Sequence, residues 1–554
     1  MGQMSRIPDF NQFGEALWEI ANVFRDDALH ATERLETFSL FLFLKLWDEI
    51  AIEEEDAQGR KLKPEEQLIP ELYRFHNWAE DPDQYAREHG FEDSIFFCRQ
   101  MFIDLADLKS KHPTTRDVRR LFDPATTVFR LRYAPTVRAL TSRLLQMNMR
   151  EIMSRGFGEG GERYDIFGRA YEYLLQQFGQ NKEFAEYFTP RHIVDHLVQI
   201  IDPQVGETIY DPACGTGGFI VRAFEWVLRQ INQKRSSFTE KERLTRELKE
   251  RHLIGVEHVP LVFKLALMNM ILHRDGKSQL RNDDSLSNKA QDIVKSTKYN
   301  IVLANPPFGP TKQERKAQFE HHINLYEALF IQHIMNALEP GGRAAVILKE
   351  GLFFDSKKML RKICRKLVEQ FEVLGIISLP NGVFNPYSGA KTSVVVFRRP
   401  LTREDARTSQ VWFYRVESDG RDLGATRRPL PDFATDGDLD HMVSLWPYTW
   451  RHERGGGVRA VMKSDDLEDF TSDKSWWATV DQIRATDYNL TAGRYNPHQA
   501  ETVEHEKPEV LINRLLELEA EITVDLQDLL TLVTVPTTTA GLKGSIRFDN
   551  SSVE

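Results

Sequence analysis

The stretch that decides the fold is Asp-Pro-Ala-Cys-Gly-Thr-Gly-Gly-Phe at residues 211–219. The apolar residues 208–210 before it predict the end of a buried strand, and residues 219–228 after it predict a helix. Glycine tolerates positive φ and lets the backbone approach a ligand closely, and a helix N-terminus offers free N–H groups to an anion. A strand, a glycine-rich turn and a helix are typical of an α/β fold that binds a nucleotide-like cofactor.

The glycine spacing narrows the choice of cofactor. The loop does not have the spacing G-x-G-x-x-G, and the run Gly389-Ala390-Lys391-Thr392 carries an alanine that the phosphate-binding motif G-x-x-x-x-G-K-[ST] lacks. A cradle for nucleoside triphosphates is therefore not indicated. Taken alone, the loop is also compatible with a plain tight connection between a strand and a helix.

A second stretch, Asn-Pro-Pro-Phe at residues 305–308, directly follows the apolar run 299–304, which predicts another strand. Proline lacks an N–H group and resists continuing a strand, so two prolines fix a turned backbone at the strand's C-terminal end. In open α/β sheets this is the edge where ligands bind. An ordinary proline-rich turn does not explain why an amide and an aromatic ring flank the prolines.

Together, the two stretches resemble the motifs of S-adenosylmethionine-dependent DNA N6-adenine methyltransferases. Their order and flanking sequence resemble the modification subunit of type I restriction–modification systems, over roughly residues 13 to 530. The resemblance implies a Rossmann-like S-adenosylmethionine-dependent methyltransferase domain of the α/β class, with an N-terminal all-helical domain and a C-terminal helical tail. It implies methyl transfer to adenine N6 in double-stranded DNA, in a complex whose specificity subunit reads the target.

The candidate catalytic residues are Asn305, Pro306, Pro307 and Phe308. Adenine N6 is a poor nucleophile because its lone pair is delocalised into the ring. The side-chain oxygen of Asn305 and the carbonyl of Pro306 can each accept one N6–H bond, which makes N6 more nucleophilic and positions it for transfer. Phe308 would stack on the base, which must first be flipped out of the duplex. No general base is proposed.

The resemblance also implies which residues hold S-adenosylmethionine. It assigns residues 186–191 to the methionine end, Glu257 at the end of the strand 253–257 to the ribose, and Asp284 to the adenine amino group. The candidate cofactor-binding residues are Glu186, Tyr187, Phe188, Thr189, Pro190, Arg191, Asp211, Ala213, Gly215, Thr216, Gly217, Gly218, Glu257 and Asp284. By residue chemistry alone, residues 186–191 are also compatible with a plain helix start, and Glu257 and Asp284 are also compatible with surface carboxylates.

The predicted domains are a helical domain at 1–155, the methyltransferase domain at 162–480, a partner-contacting helical region at 481–535 and a flexible tail at 536–554. The glycine-rich residues 155–161 mark the first boundary. Residues 38–47 are almost uniformly apolar and predict a buried helix. Residues 508–533 carry apolar side chains at helical spacing, and the resemblance favours contact with the specificity subunit there over packing within the domain.

Composition limits the other possibilities. Of 554 residues, 41% are hydrophobic and 28% are charged, which is typical of a globular protein. No run of 18 apolar residues and no N-terminal signal peptide are visible, so no membrane span is expected. Three cysteines without a Cys-x-x-Cys pattern indicate a reduced cytoplasm and no metal site.

The net charge of −11 is unusual for a DNA-binding protein acting alone. Either the basic surface is local, or a partner supplies much of the DNA contact. The resemblance favours a partner and implies a specificity subunit, a second copy of this chain and a restriction/translocase subunit.

Two basic features leave alternatives open. The arginines between Arg116 and Arg138 are interleaved with apolar residues and form either a phosphate-binding surface or a solvated helix face. Lys349 follows the apolar strand 344–348, at a position where the family often has proline.

Other functions remain as hypotheses. Cytosine-C5 methylation requires a cysteine nucleophile, typically after proline, and the chain has no Pro-Cys pair. Cytosine-N4 methylation, a self-sufficient methyltransferase and protein glutamine methylation all remain open, since an Asn-Pro-Pro turn serves other exocyclic or side-chain amines. A non-catalytic scaffold of the same fold is the last alternative.

Overall fold

A computed structural model describes residues 22–25, 27–112, 114–146, 189–273, 277–311, 319–354, 358–385, 388–402, 408–422, 430, 437–453, 457–497 and 519. Several predictions lie outside these residues. They concern the linker 155–161, the candidate residues Glu186, Tyr187 and Phe188, nearly all of the helix 508–533, and the tail 536–554.

Helices form the described residues ahead of the sheet. They are α1 (Ala31–Gln58), α2 (Phe75–Trp78), α3 (Pro82–Glu88), α4 (Ser94–Ala106), α5 (Thr115–Leu121) and α6 (Ala134–Gln146), with 3-10 turns at Asn22–Arg25 and Glu71–Tyr73. The prediction of a buried helix at residues 38–47 is confirmed, since this run lies inside α1 and is buried on all sides. The helix ends at Gly59, whose φ of +63° is left-handed.

The strands that follow begin after residue 208. They are β1 (Ile209–Asp211), β2 (Leu253–Glu257), β3 (Gln279–Asn282), β4 (Tyr299–Ala304), β5 (Leu338–Lys349), β6 (Glu372–Ser378), β7 (Thr392–Arg398), β8 (Gln410–Arg415), β9 (Tyr448–His452), β10 (Val458–Met462) and β11 (Ser475–Thr479). Strands β9 and β10 form a separate antiparallel pair.

The other strands form one sheet of nine in the described residues, in the order β11-β8-β6-β7-β5-β4-β1-β2-β3. Strands β3, β2, β1, β4 and β5 are parallel to one another, whereas β7 is inserted antiparallel between β5 and β6. The order reverses at β1 and β4, which lie side by side. Ligands bind at such a reversal, at the carboxyl ends of the strands.

Helices flank this sheet. They are α7 (Arg191–Ile201), α8 (Gly218–Gln233), α9 (Phe238–Glu247), α10 (Pro260–Leu272), α11 (Asn288–Ser296), α12 (Tyr326–Ala337), α13 (Gly351–Phe354), α14 (Lys358–Gln370), α15 (Asp438–Leu445) and α16 (Val480–Ala485). A π turn covers Leu248–His252, and 3-10 turns cover Leu467–Phe470 and Ala492–Tyr495. The predicted α/β Rossmann-like fold class is confirmed.

Apolar side chains of the sheet alternate between two cores. In β4, Ile301 and Leu303 belong to one core and Val302 and Ala304 to the other, because successive side chains of a strand point to opposite faces. The first core continues into the N-terminal helices. The sheet is therefore covered on both faces, and its carboxyl edge is left for binding.

The N-terminal helices also contact the sheet domain through charged groups. Arg120 donates to the carbonyl of Leu280 at 2.7 Å, and its guanidinium carbon lies 4.8 Å from the ring centre of Phe263. Lys264 of α10 is buried and donates to the carboxylate of Glu36 in α1. At least part of the basic stretch thus binds protein groups.

The chain divides into two compact units, with the boundary between Asn496 and Pro497. The first unit contains the helices and the sheet. Helix α16, at the start of the predicted region 481–535, packs beside β11 in this unit. The second unit is described only at Pro497 and Glu519. The three boundaries between the four predicted domains stay predictions.

Candidate active site

The glycine loop connects β1 to α8 with two residues in the left-handed region. Gly215 has a φ of +54° and Gly217 a φ of +85°, conformations that side chains rarely adopt. Gly218, the first residue of α8, has ordinary dihedrals, and the guanidinium of Arg191 occupies the space where a side chain would begin. A Cβ there would lie 1.6 Å from Nη1 of Arg191. The left-handed dihedrals favour glycine at positions 215 and 217, whereas a side chain at position 218 would displace the end of Arg191.

A concavity of about 260 Å³ lies against this loop. It is lined by Thr189, Arg191, Asp211, Ala213, Cys214, Thr216, Gly218, Phe219 and Asn305. Three chain segments meet here: the residues ahead of α7, the glycine loop and the turn after β4. The structure therefore brings residues of both sequence motifs to one site.

Most lining residues are candidates from the sequence, and two are not. Cys214 and Phe219 line the concavity without having been chosen. Both lie inside the stretch 211–219, so membership in that stretch was the available signal. Burial, together with the nearby carboxyl groups of Asp211 and Glu257, raises the pKa of the Cys214 thiol well above its usual range, so the thiol is protonated and poorly nucleophilic.

Two buried acids brace the glycine loop. Asp211 Oδ1 accepts the backbone N–H of Ala213 at 3.0 Å, and Glu257 accepts the N–H groups of Gly215 at 3.0 Å and Val259 at 2.7 Å. Burial raises the pKa of Glu257 to about 7 and that of Asp211 well above its ordinary value. Each acid thus fixes the loop while holding a proton more readily than a surface carboxyl group.

Arg191 reaches from the start of α7 into the glycine loop. Its Nη2 donates to Thr216 Oγ1 at 3.2 Å, and its Nη1 lies against Gly218. Gly218 begins α8, and the N-terminus of a helix favours negative charge. Arg191 adds a full positive charge at the same place, so this end of the concavity is complementary to an anionic group.

Asn305 is held in one orientation by a hydrogen bond across the site. Its Nδ2 donates to Thr189 Oγ1 at 3.0 Å. Its Oδ1 is buried and has no hydrogen-bond partner among the described residues. An unpaired buried acceptor is costly, and this one belongs to a residue that lines the concavity. It is therefore available to a ligand that brings an N–H or O–H donor.

The next residues of this turn follow Asn305 but do not line the concavity themselves. Pro306 is buried, whereas Pro307 and Phe308 are half-buried. The ring of Phe308 lies 6.0 Å from that of Phe384, at an interplanar angle of 79°. Lys349 Nζ lies 5.4 Å from the ring centre of Phe308. Neither Lys349 nor Phe384 was among the candidate residues.

Asp284 and Glu257 do not line the concavity itself. Asp284 Oδ1 accepts the N–H of Leu286 at 2.9 Å, and the next residue, Ser285, donates to the carbonyl of Pro212 at 2.6 Å. The Asp284 loop is thus tied to the glycine loop. Pro190 is half-buried and precedes α7, as predicted for a helix start.

No group of three or more His, Cys, Asp or Glu residues in the part of the chain that the structure describes is arranged to hold a metal ion. No helix among the residues described is long and apolar enough to cross a membrane.

Two family models match different parts of the chain. Residues 162–505 match the family model of the N-6 DNA methylases, and residues 13–100 match that of the HsdM N-terminal domain. The chain is 29% identical over 495 residues to the type I restriction enzyme EcoEI methylase subunit of Escherichia coli, covering 86% of this chain and 89% of that protein. It is 26% identical over 514 residues to the EcoKI methylase subunit of strain K12, covering 90% and 87%.

Solved structures of type I restriction–modification proteins are also similar to this chain. One from a study of complex assembly in the type I R-M system is 27% identical, with a TM-score of 0.61, and covers 93% of this chain and 97% of its own. A Vibrio vulnificus YJ016 protein, assigned as a modification subunit of a type I restriction enzyme, has a TM-score of 0.67 at 22% identity, covering 90% and 100%. The latter shows the fold alone.

These matches confirm the resemblance drawn from the two motifs. The N-6 DNA methylase model covers more than half of the chain, and it includes both the glycine loop and the Asn-Pro-Pro-Phe turn. The chain belongs to the N-6 DNA methylase family, as an adenine-specific DNA methyltransferase that carries an HsdM N-terminal domain.

Proposed function

We propose that Asn305 and Pro306 bind the N6 hydrogens of a flipped adenine, while the glycine loop and Arg191 bind S-adenosylmethionine. The observation that carries this proposal is the buried, unpartnered Oδ1 of Asn305, which belongs to a residue lining the same concavity as the glycine loop. An N6 amino group supplies the donor that this oxygen lacks. S-adenosylmethionine, when bound, supplies an electrophilic methyl group.

The residues present fit this cofactor. The α-carboxylate of its methionine part suits Arg191 and the N-terminus of α8, where the Arg191 guanidinium lies against Gly218. Glu257 lies at the carboxyl end of β2, where an acid accepts ribose hydroxyls. Asp284 follows β3 on a loop tied to the glycine loop and suits the adenine amino group.

The protein groups would act on the base as follows. Thr189 holds the amide of Asn305 through Nδ2, so that Oδ1 points its lone pairs to the N6 group. Oδ1 and the carbonyl of Pro306 each accept one hydrogen bond from the N6 amino group, which draws electron density onto N6. Phe308 stacks on the base and keeps water from it. Flipping the base out of the duplex costs a few kcal/mol, which contacts to the DNA must offset.

We infer that the chain works in the cytoplasm inside a complex. The relatives are methylase subunits of type I restriction enzymes, and the net charge of −11 suits a chain that shares DNA binding with a partner. The partners proposed are DNA, a specificity subunit, a second copy of this chain and a restriction/translocase subunit. The region 481–535 is the proposed contact with the specificity subunit.

The test is incorporation of labelled methyl from S-adenosylmethionine into DNA, with and without the co-expressed specificity subunit, followed by nucleoside analysis. N6-methyladenine that appears only with the partner supports the proposal. The same product from this chain alone would indicate a self-sufficient enzyme. N4-methylcytosine would overturn the adenine pocket, and label in protein glutamine would overturn the DNA substrate. A complex that binds the cofactor and methylates nothing would indicate a scaffold.

A further inference from the structure

Strand β5 ends beside the Asn-Pro-Pro-Phe turn, and its last residue is a lysine. Strands β4 and β5 are parallel, with Ala304 paired with Val346. Lys349 lies three residues beyond Val346 and therefore at the same carboxyl edge as Asn305. On its other side, Lys349 pairs with Thr392 of the antiparallel strand β7. The register alone thus brings a cation to the catalytic edge.

The side chain of Lys349 contacts the ring that follows the two prolines. Its ammonium lies over Phe308, 5.4 Å from the ring centre. Phe384 meets the same ring at 6.0 Å with nearly perpendicular planes. A cation over an aromatic face is attracted by the negative face of the ring, and perpendicular rings are a favoured arrangement. Phe308 is thus held by residues from two other segments.

The ammonium of Lys349 has no hydrogen bond and no carboxylate partner among the residues that the structure describes. The adjacent Glu350 is buried, and its Oε1 instead accepts the hydroxyls of Ser378 and Ser393, each at 2.9 Å. The other lysine at this edge, Lys391, donates to the carbonyl of Leu379 at 2.5 Å. Lys349 is therefore a half-buried cation whose three N–H donors meet no acceptor within the described part of the chain.

A cation kept in this state at the catalytic edge suits an anion that arrives with the substrate. The chain as a whole is acidic, so local positive charges must supply its own share of phosphate binding. The target base does not enter the pocket alone, because its sugar and phosphate remain attached.

We propose that Lys349 binds the phosphate of the flipped target nucleotide and, with the same side chain, keeps Phe308 in position for the base. This rests on the proposed function, since only DNA whose base enters the Asn305 pocket brings a phosphate to Lys349. One side chain would thus couple backbone binding to base stacking.

The test uses the reconstituted complex with its specificity subunit and compares Lys349→Met, Lys349→Arg and Lys295→Met. Lys295 is the matched control, because it is exposed, pairs with Asp292, and lies on α11, which leads to the amino end of β4. Lys349→Met should weaken DNA binding roughly 10-fold and lower the slope of log affinity against log salt by about 0.9. Lys349→Arg should keep most of the affinity, and Lys295→Met should change neither quantity.

A neutral methylphosphonate at the target nucleotide's phosphate identifies the contact. It should weaken binding of the unmodified protein by a similar factor and have no further effect on Lys349→Met. If the methylphosphonate and Lys349→Met weaken DNA binding additively, the proposal is overturned. An unchanged salt slope in Lys349→Met would also overturn it. So would a loss of affinity in Lys349→Met that disappears when N7 of the target adenine is replaced, because Lys349 would then contact the base. The variant Asn305→Ala distinguishes a failure of the proposed function from a failure of the role of Lys349. If it methylates DNA at the rate of the unmodified complex, the proposed function fails; if methylation is lost as expected and Lys349→Met behaves like the unmodified complex, only the role of Lys349 fails.

Discussion

Asn305 and Thr189, which are 116 residues apart in the chain, are joined by a hydrogen bond of 3.0 Å from Nδ2 to Oγ1. This bond connects the turn after β4 to the segment that enters α7. It also determines which end of the Asn305 amide is free, because Nδ2 is engaged and Oδ1 is not. The orientation of the proposed catalytic acceptor thus depends on a hydroxyl from a distant part of the chain.

Asn305→Ala should abolish methyl transfer, because it removes the acceptor for N6. We expect kcat to fall by about 10² to 10³ or more, while the Kd for S-adenosylmethionine stays within a few-fold. Single-turnover methylation and equilibrium cofactor binding measure the two quantities. Loss of cofactor binding in this variant would contradict the proposed division between the two motifs.

Thr189→Val should have a smaller effect of the same kind, because it removes only the group that orients Asn305. We expect kcat to fall by roughly 10-fold, with Thr189→Ser close to the unmodified protein because it keeps the hydroxyl. The same single-turnover assay applies. Equal rates for the valine and serine variants would show that this hydrogen bond does not orient the amide.

Gly218→Ala should weaken cofactor binding. The added Cβ would lie 1.6 Å from Arg191 Nη1 and 2.9 Å from its Cζ, so the guanidinium must shift from its present position. We expect the Kd for S-adenosylmethionine to rise about 10-fold, from loss of a charge-assisted contact. Gly493→Ala is the control, since a Cβ there meets nothing within 4 Å. Unchanged cofactor binding by Gly218→Ala would exclude Arg191 from the cofactor site.

Glu257 should make the folded chain less stable as the pH rises. Its pKa is raised from 4.5 to about 7 by burial, so the folded state binds its proton more tightly than the unfolded state does. Its stabilising contribution is therefore full below about pH 4.5 and is lost by about pH 7. The loss is on the order of 3 kcal/mol.

The measurement is urea unfolding of the isolated chain and of Glu257→Gln between pH 5 and pH 8. Asp211 also has a raised pKa and remains in both proteins, but the charge of Glu257 contributes to that shift, so the difference between them reports Glu257 together with its coupling to Asp211. The unmodified chain should lose about 3 kcal/mol relative to the glutamine variant over this range. A difference that does not change with pH would show that Glu257 titrates as an ordinary surface acid.

Lys264→Met should destabilise the chain by about 3 kcal/mol, because it leaves the carboxylate of Glu36 without its buried partner. The nearest remaining cation recorded for Glu36 is Arg130, at 3.9 Å. Lys295→Met removes an exposed pair with Asp292 and should change the free energy of unfolding by less than about 1 kcal/mol. Adding Glu36→Gln to Lys264→Met should restore part of the loss. Denaturant unfolding at neutral pH compares all four proteins, and equal stability of the two lysine variants would contradict a buried pair.

Local sequence determined the fold class and the nature of the site. Gly215 and Gly217 after β1 have positive φ, which favours glycine, and the prolines after β4 resist continuing a strand, so both patterns indicate a turn. Each motif also lies directly after an apolar strand, and parallel strands present their carboxyl ends at one edge. That is why the glycine loop and Asn305 were predicted to meet without knowledge of the topology.

Tertiary structure alone decided how the side chains are held. The approach of Arg191 to Gly218, the bond from Asn305 to Thr189 and the position of Lys349 over Phe308 each join segments far apart in sequence. Such contacts depend on strand order and register, here the pairing of β4 with β5, which no local pattern encodes. The burial that raises the pKa of Glu257 likewise arises only when the whole sheet is covered.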